Sequence, residues 1–445
     1  MLSSIRERMS KMLPIIIICT ATCLLMIMAV LFFPKLRIGK ISVDTYWIIT
    51  LLGAIVAIAF RQTSLSAVTA FLVADTPVNP LKILVLFISM TLLSVFLDEL
   101  GFFGYLASVT LRRAGNSQKR LFFLLYVIVA SLTVFTSNDI IILSFTPFIC
   151  YFAKAAKINP MPYVATEFVA ANTWSMALII GNPTNIYLAT FASESFWNYL
   201  QVMILPTVMA GLVSILLLYL LFRRSLSAPI EASAQIVELK DKILLVVGIV
   251  HLAVCTILLA IGPYLGLEMW LVASLAALSL CVFNLIIGAI RRRPPKALGK
   301  SLVRAPWQLV PFVLSMFVLI FALDGKGATQ AIASAFSHTP TILTYGLGSF
   351  LVSNLVNNIP MSVLFSSIIS NLPRSVATGA LYATVIGSNL GACLTPVGAL
   401  AGIMWSNILK KHGLEFSYVS FVKVGVIVAL PTLLAALLGL WLVLG

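Results

Sequence analysis

Asp139 is the residue from which the chemistry of this chain can be read. It sits in the run Thr136–Pro147, TSNDIIILSFTP, where Ser137, Asn138 and its own carboxylate interrupt two long apolar stretches. A second run, Val352–Leu364 (VSNLVNNIPMSVL), carries the paired amides Asn357 and Asn358 into similar surroundings. Two further stretches are polar and contain Gly and Pro. One is Ala171–Ser175 (ANTWS) with Gly181–Asn185 (GNPTN), and the other is Gly387–Gly391 (GSNLG) with Thr395–Gly398 (TPVG). Their side chains, Asn172, Thr173, Asn182, Thr184, Ser388, Asn389 and Thr395, offer donors and acceptors to an ion, an oxyanion or a hydroxylated solute. Asp139 adds what an amide cannot: a proton that leaves when a cation arrives, because desolvation favours the neutral acid and a bound cation reverses that preference. A carboxylate at membrane depth costs at least ~2.5 kcal/mol even on a lenient insertion scale, which marks it as a functional group by default. Asp139 is therefore the first candidate for coupling to a proton or cation. It can also cap the N–H groups of a helix beginning at Ile140, and the two roles can coincide. Glu167, five residues before Asn172, is either a second protonation site or a side chain reaching toward a loop.

Composition places these groups in a membrane. The chain is 61% hydrophobic and 10% charged, with a mean hydropathy of +1.08, against a soluble average of roughly 45–50% apolar and 25% charged. Apolar runs of membrane-spanning length recur from Leu13–Phe33 to Val422–Leu444. The net charge of +15 does not indicate nucleic acid, because Lys and Arg fall in short clusters between apolar runs. Most of them lie in alternate loops, which reads as the cytoplasmic side and puts both termini outside. Arg291–Arg293 is explained most simply by this topology. The six cysteines lack metal-ligand spacing, and His251, in an apolar span, reads as a core histidine.

The chain repeats itself. Ser89-Met90, Leu97-Asp98 and Gly101 recur as Ser315-Met316, Leu323-Asp324 and Gly327, at a constant offset of 226 residues. Asn138-Asp139 corresponds to Asn357-Asn358, and Ala171-Asn172 to Ser388-Asn389. The expected organisation is a first half over residues 1–222, a cytoplasmic linker over 223–242 and a second half over 243–445. Each half has five spans, one hairpin (about 121–152 and 342–372) and one broken helix (about 163–191 and 376–409). An odd number of crossings inverts the second half relative to the first. The fold class is thus an all-α polytopic membrane protein with ten transmembrane helices, two re-entrant hairpins and discontinuous helices at the midplane, the architecture of secondary transporters. In this parse Ile83–Thr110 and Trp307–Phe336 are single spans, with Asp98 and Asp324 near their outer ends as scaffold braces.

Through LDELGFFGYLA (Leu97–Ala107), TSNDIIILSFTP, the Ala171–Asn185 stretch, APWQLV (Ala305–Val310), VSNLVNNIPMSVL and TVIGSNLGACLTPVGALAGIMW (Thr384–Trp405), the chain resembles the ArsB-type arsenite and antimonite permeases of the ion transporter superfamily. The resemblance implies a carrier that expels neutral arsenite or antimonite in exchange for protons, with a scaffold and a mobile transport region. Position by position, the Asn-Asp pair falls on Asn138-Asp139, the paired amides on Asn357-Asn358 and the Gly-rich broken helix on Gly387–Gly398. The family pattern has Asp at the equivalents of Asn172 and Asn389, where this chain has amides. The same superfamily includes sodium-coupled dicarboxylate and citrate carriers, whose tips carry Ser-Asn-Thr. Here Asp139 replaces that Thr and would repel a dianion. Sodium/proton exchange is a third reading.

No HExxH, Walker loop or Gly-x-Ser-x-Gly occurs in the sequence, so an enzyme is not expected and ATP drive would require a separate ATPase subunit. The expected partners are the lipid bilayer of the plasma membrane and a small oxyanion or metalloid, with a homodimer left open. No cofactor is expected beyond a coupling proton or sodium ion.

Overall fold

Apolar runs in lipid must satisfy their own backbone, and here they do so as α-helices. The computed structural model describes residues 2–33, 35–38, 41–76, 79–230, 238–414 and 417–445, so residues 231–237 of the expected linker lie outside the described residues. Eight helices among these are long and apolar enough to cross a membrane. The β-structure of the described residues includes a two-stranded antiparallel ribbon, Lys35–Ile38 with Ile41–Asp44, directly after the first helix. The chain is thus a nearly all-helical, polytopic membrane protein.

Helix ends follow local chemistry. Asn79 precedes Pro80 and accepts the N–H groups of Leu81 and Lys82, opening the helix Pro80–Glu99. Ser117, Ser195 and Asp241 cap the helices that follow them in the same way. Lys296–Arg304, a basic stretch between two apolar runs, is a short helix that buries Leu298 and Ser301.

Both long spans that begin the repeated pattern are broken. Ile83–Thr110 ends as a helix at Glu99 and resumes as Phe102–Ala114, and Trp307–Phe336 divides into Leu309–Gly325 and Ala328–Phe336. The residues between them are the matched glycines, left-handed at φ 87° (Gly101) and 80° (Gly327). Each donates its N–H to the carbonyl of its matched aspartate at 2.8 Å. A Cβ disfavours that conformation, which is why glycine stands at both positions.

The aspartates themselves lie differently from expectation. Asp98 and Glu99 receive Arg304, and Lys240 donates to the Glu99 carbonyl at 2.8 Å. Asp98 therefore sits on the basic face read as cytoplasmic, not at an outer end. At the other end of Pro80–Glu99, Lys82 contacts Asp75 and Glu268 at 2.6 Å each. Asp324 ends the helix that starts beyond Arg304, far from that residue, and accepts the Thr329 hydroxyl. His251 is half-buried and contacts the Val247 carbonyl at 2.8 Å and the Ser279 hydroxyl at 3.1 Å, so both ring nitrogens have partners.

Thr341–Val356 and Arg374–Gly391 approach closely because small residues face one another. A Cβ on Gly387 would lie 2.0 Å from Ser349 Oγ and 2.4 Å from the Gly346 carbonyl, and one on Gly391 would lie 2.1 Å from Ser353 Oγ. Gly387→Leu should therefore lower the thermal stability of the purified protein by roughly 1–3 kcal/mol or more. Gly299→Ala, which meets no atom within 4 Å, should not lower it. Equal melting of the two variants in detergent would contradict this packing.

Candidate substrate and ion site at the helix breaks

The first tip forms where the helix Gln118–Phe135 stops and Asn138–Ala155 begins. Thr136 returns its hydroxyl to the Leu132 carbonyl at 2.8 Å, and Ser137 is extended. Asn138, 1% exposed, donates its Nδ2 to Asn172 Oδ1 at 3.0 Å. Asn172 is held in turn by its own bond to the Phe168 carbonyl at 2.8 Å. Three buried oxygens here, Ser137 Oγ, Asn138 Oδ1 and Thr173 Oγ1, have no partner. Asp139, partly exposed, lines a cavity of about 370 Å³ bounded by Asp44, Thr91, Arg304, Gln308 and Asn407.

The second tip is tied to the loop of the second broken helix. Asn357 adopts φ 76° and ψ 153°, a strained conformation usually left to glycine. Its Nδ2 donates to the Val397 carbonyl at 3.1 Å, and the Asn358 N–H donates to the Gly398 carbonyl at 3.0 Å. Pro360 occupies the first turn of Asn358–Ile369. Asn354, one turn before the tip, donates to the Gly391 carbonyl at 3.0 Å and accepts the Thr395 hydroxyl at 2.7 Å. Thr395 thus closes the loop.

The two broken helices meet at Asn389. Its Oδ1 accepts Ser175 Oγ at 2.7 Å and Asn182 Nδ2 at 2.9 Å, while its Nδ2 donates to Asn185 Oδ1 at 2.7 Å and to the Val385 carbonyl at 2.8 Å. Asn185 donates to the Ser175 carbonyl at 2.8 Å. Asn182 Oδ1 accepts from the backbone and hydroxyl of Thr184 at 3.1 and 3.0 Å, starting the helix Pro183–Phe191. Ser175 also reaches the Asn172 carbonyl at 3.0 Å. Next to Asn389, Ser388 lies 3.5 Å from Ser362, whose hydroxyl donates to the Asn358 carbonyl at 2.8 Å. A continuous buried polar chain therefore runs from Asn138 through Asn172, Ser175, Asn389, Ser388 and Ser362 to Asn358.

Ser175, Asn185, Ser362 and Asn354 complete this arrangement, although they were not among the candidates from sequence. Ser175 and Asn185 belong to the polar stretches already singled out; Ser362 stands one turn beyond Asn358 on the helix that follows the tip, and Asn354 lies near the end of the helix that precedes it. Glu167 is fully buried, and its two oxygens lie 3.0 and 2.9 Å from the Thr146 hydroxyl, which is also 2.6 Å from the Ile142 carbonyl. Trp405 is a further hydrogen-bonding neighbour. Of the two readings of Glu167, the one in which its side chain reaches toward a loop is corrected, because the residue is packed inside the bundle.

Helices interrupted inside a membrane bundle, with amides and hydroxyls from distant parts of the chain meeting at the interruptions, define a polytopic membrane transporter. The citrate transporter family (CitMHS) matches residues 20–380, and the chain belongs to it. It is 29% identical over 376 residues to the arsenical pump membrane protein of Escherichia coli K12, covering 80% of this chain and 84% of that one. Another Escherichia coli arsenical pump membrane protein is 30% identical over 371 residues, with the same coverage. A 46 kDa membrane protein of Mycobacterium leprae is 27% identical over 380 residues, covering 81% and 86%. In fold, the chain is similar to the crystal structure of the Alcanivorax borkumensis YdaH transporter, with a TM-score of 0.55, 16% identity and coverage of 98% and 97%.

Asn389→Leu removes four hydrogen bonds and leaves Ser175, Asn182 and Asn185 short of partners in a buried site. The expected cost is roughly 2–4 kcal/mol, read as a large drop in melting temperature. Asn407→Leu, at the wall of the cavity, should cost far less, and similar values for both would contradict the central place given to Asn389.

Proposed function

We propose that this chain is a secondary carrier that expels arsenite or antimonite, as the neutral trihydroxo acid, in exchange for protons by elevator-like alternating access. The observation that carries the reading is a set of unpartnered oxygens, Ser137 Oγ and Asn138 Oδ1 on the tip that also carries Asp139, and Thr173 Oγ1 next to Asn172, the residue to which that tip is bonded. A neutral solute with three O–H groups supplies the donors these acceptors lack. Asp139 supplies the exchangeable proton, and Glu167 is a second place where one can be held. The names of the Escherichia coli relatives favour the same substrate.

Two features support inverted halves. Tyr163 donates to Gln118 at 2.7 Å, so the first helix pair is rooted beside the start of the broken helix Met161–Phe191. The second pair is joined through Ser366 to Tyr187, near its other end, at 2.7 Å. The tips then enter as hairpins from opposite sides, as in carriers with inverted repeats. The Asp139 cavity extends to Arg304 and Gln308, which gives protons and solute a route from the basic face. With that face cytoplasmic, both termini lie outside the plasma membrane.

A second reading is a proton- or sodium-coupled carrier of a small carboxylate, favoured by the family's description as citrate transporters. The carboxylate of Asp139 opposes it unless a cation covers that charge. Cells expressing the protein should accumulate less arsenite and tolerate more of it than cells without it. Unchanged metalloid tolerance together with citrate uptake would select the second reading. Asp139→Asn should insert normally yet abolish pH-driven arsenite uptake in everted vesicles, a loss of at least about tenfold, since a coupling proton has no other carboxylate on that tip. Wild-type uptake by that variant would remove Asp139 from coupling.

A further inference from the structure

We infer that the scaffold carries a binding site for the phosphate of an anionic lipid headgroup, in the cavity between the helices Lys242–Ile261, Met269–Ile290 and Lys296–Arg304. The cavity holds about 620 Å³ and shares no lining residue with the Asp139 cavity, although Glu99 of its wall is paired with Arg304 of that one. Its wall carries Lys240, Arg291, Arg293, Lys296 and Lys300 against two acids, Glu99 and Asp241. Both acids are already engaged, Glu99 by Arg304 and Asp241 by Arg291. Among the described residues Arg293, Lys296 and Lys300 have no ion-pair partner, so the cavity keeps a local excess of positive charge. Lys296 and Lys300 stand four residues apart and share one face of their short helix.

A second, independent observation points to a ligand. Asn284, in the same lining, is 1% exposed, and neither its Nδ2 nor its Oδ1 has a partner. A buried carboxamide with both ends unmet is costly, and a phosphate diester with a hydroxylated headgroup offers an acceptor and a donor together. Loop topology alone explains why the basic residues lie on this face, but it leaves Asn284 unexplained.

The elements around the cavity also favour a lipid over a free anion. They expose apolar side chains, Ile290 at 77% and Val303 at 82%, which acyl chains would cover. Basic residues at a membrane border each contribute about 1 kcal/mol toward an anionic lipid surface.

The test is native mass spectrometry of the purified full-length protein in detergent, titrated separately with phosphatidylglycerol, phosphatidylcholine and inorganic phosphate. Phosphatidylglycerol should remain bound at one site where phosphatidylcholine does not. Lys296→Gln with Lys300→Gln, both exposed and outside the transport site, should weaken that binding roughly 10- to 30-fold, and Asn284→Leu should weaken it without altering the charge. Equal retention of both lipids, or phosphatidylglycerol binding untouched by the lysine changes, would overturn the inference. Phosphate binding that matches phosphatidylglycerol and falls in the same variants would overturn the lipid source and assign the pocket to a free anion.

Discussion

Backbone that leaves a helix inside lipid must find new partners, and most of this molecule is arranged around that requirement. The interruptions after Trp174 and Gly391 would each strand carbonyls and N–H groups in a dry setting. Side-chain amides take their place. Asn389 alone joins Val385 of its own helix to Ser175, Asn182 and Asn185 of the other break. Removing the irregular backbone would restore two plain helices, but it would also remove a stretch where amides and hydroxyls from the two halves of the sequence converge.

The same requirement explains why so many small residues line the neighbouring contacts. Ser349 and Ser353 against Gly387 and Gly391 let two helices approach until their backbones nearly touch, so the Gly391 carbonyl can be reached by Asn354. The tip at Asn357-Asn358 is then bound to Val397 and Gly398, and tip and broken helix form one packed unit. The first tip is tied less tightly, through the single bond from Asn138 to Asn172. Its remaining oxygens are those a ligand can use.

Much of this was legible in the sequence because polar residues inside long apolar runs have few structural explanations. The helix breaks at Asn182-Pro183, Thr395-Pro396, Ser137 and Asn357 and the hydrogen-bonded state of His251 followed from residue type and position. The division of Ile83–Thr110 and Trp307–Phe336 was missed because apolar residues continue through Gly101 and Gly327, and hydropathy cannot report a left-handed glycine. Asp98 was misplaced for the same reason. With its span taken as continuous, it moved away from the basic residues that hold it. The burial of Glu167 could not be read at all, since Thr146 and Trp405 come from other segments.

The proposed exchange rests on the amides and hydroxyls that meet at the helix breaks and on the carboxylate of Asp139 beside the first of them. Its most direct test is reciprocal coupling in proteoliposomes containing only this protein. An imposed arsenite gradient should drive protons in the opposite direction, without sodium and without ATP. Arsenite that crosses with no proton movement, or proton movement that appears only with citrate, would contradict the proposed exchange.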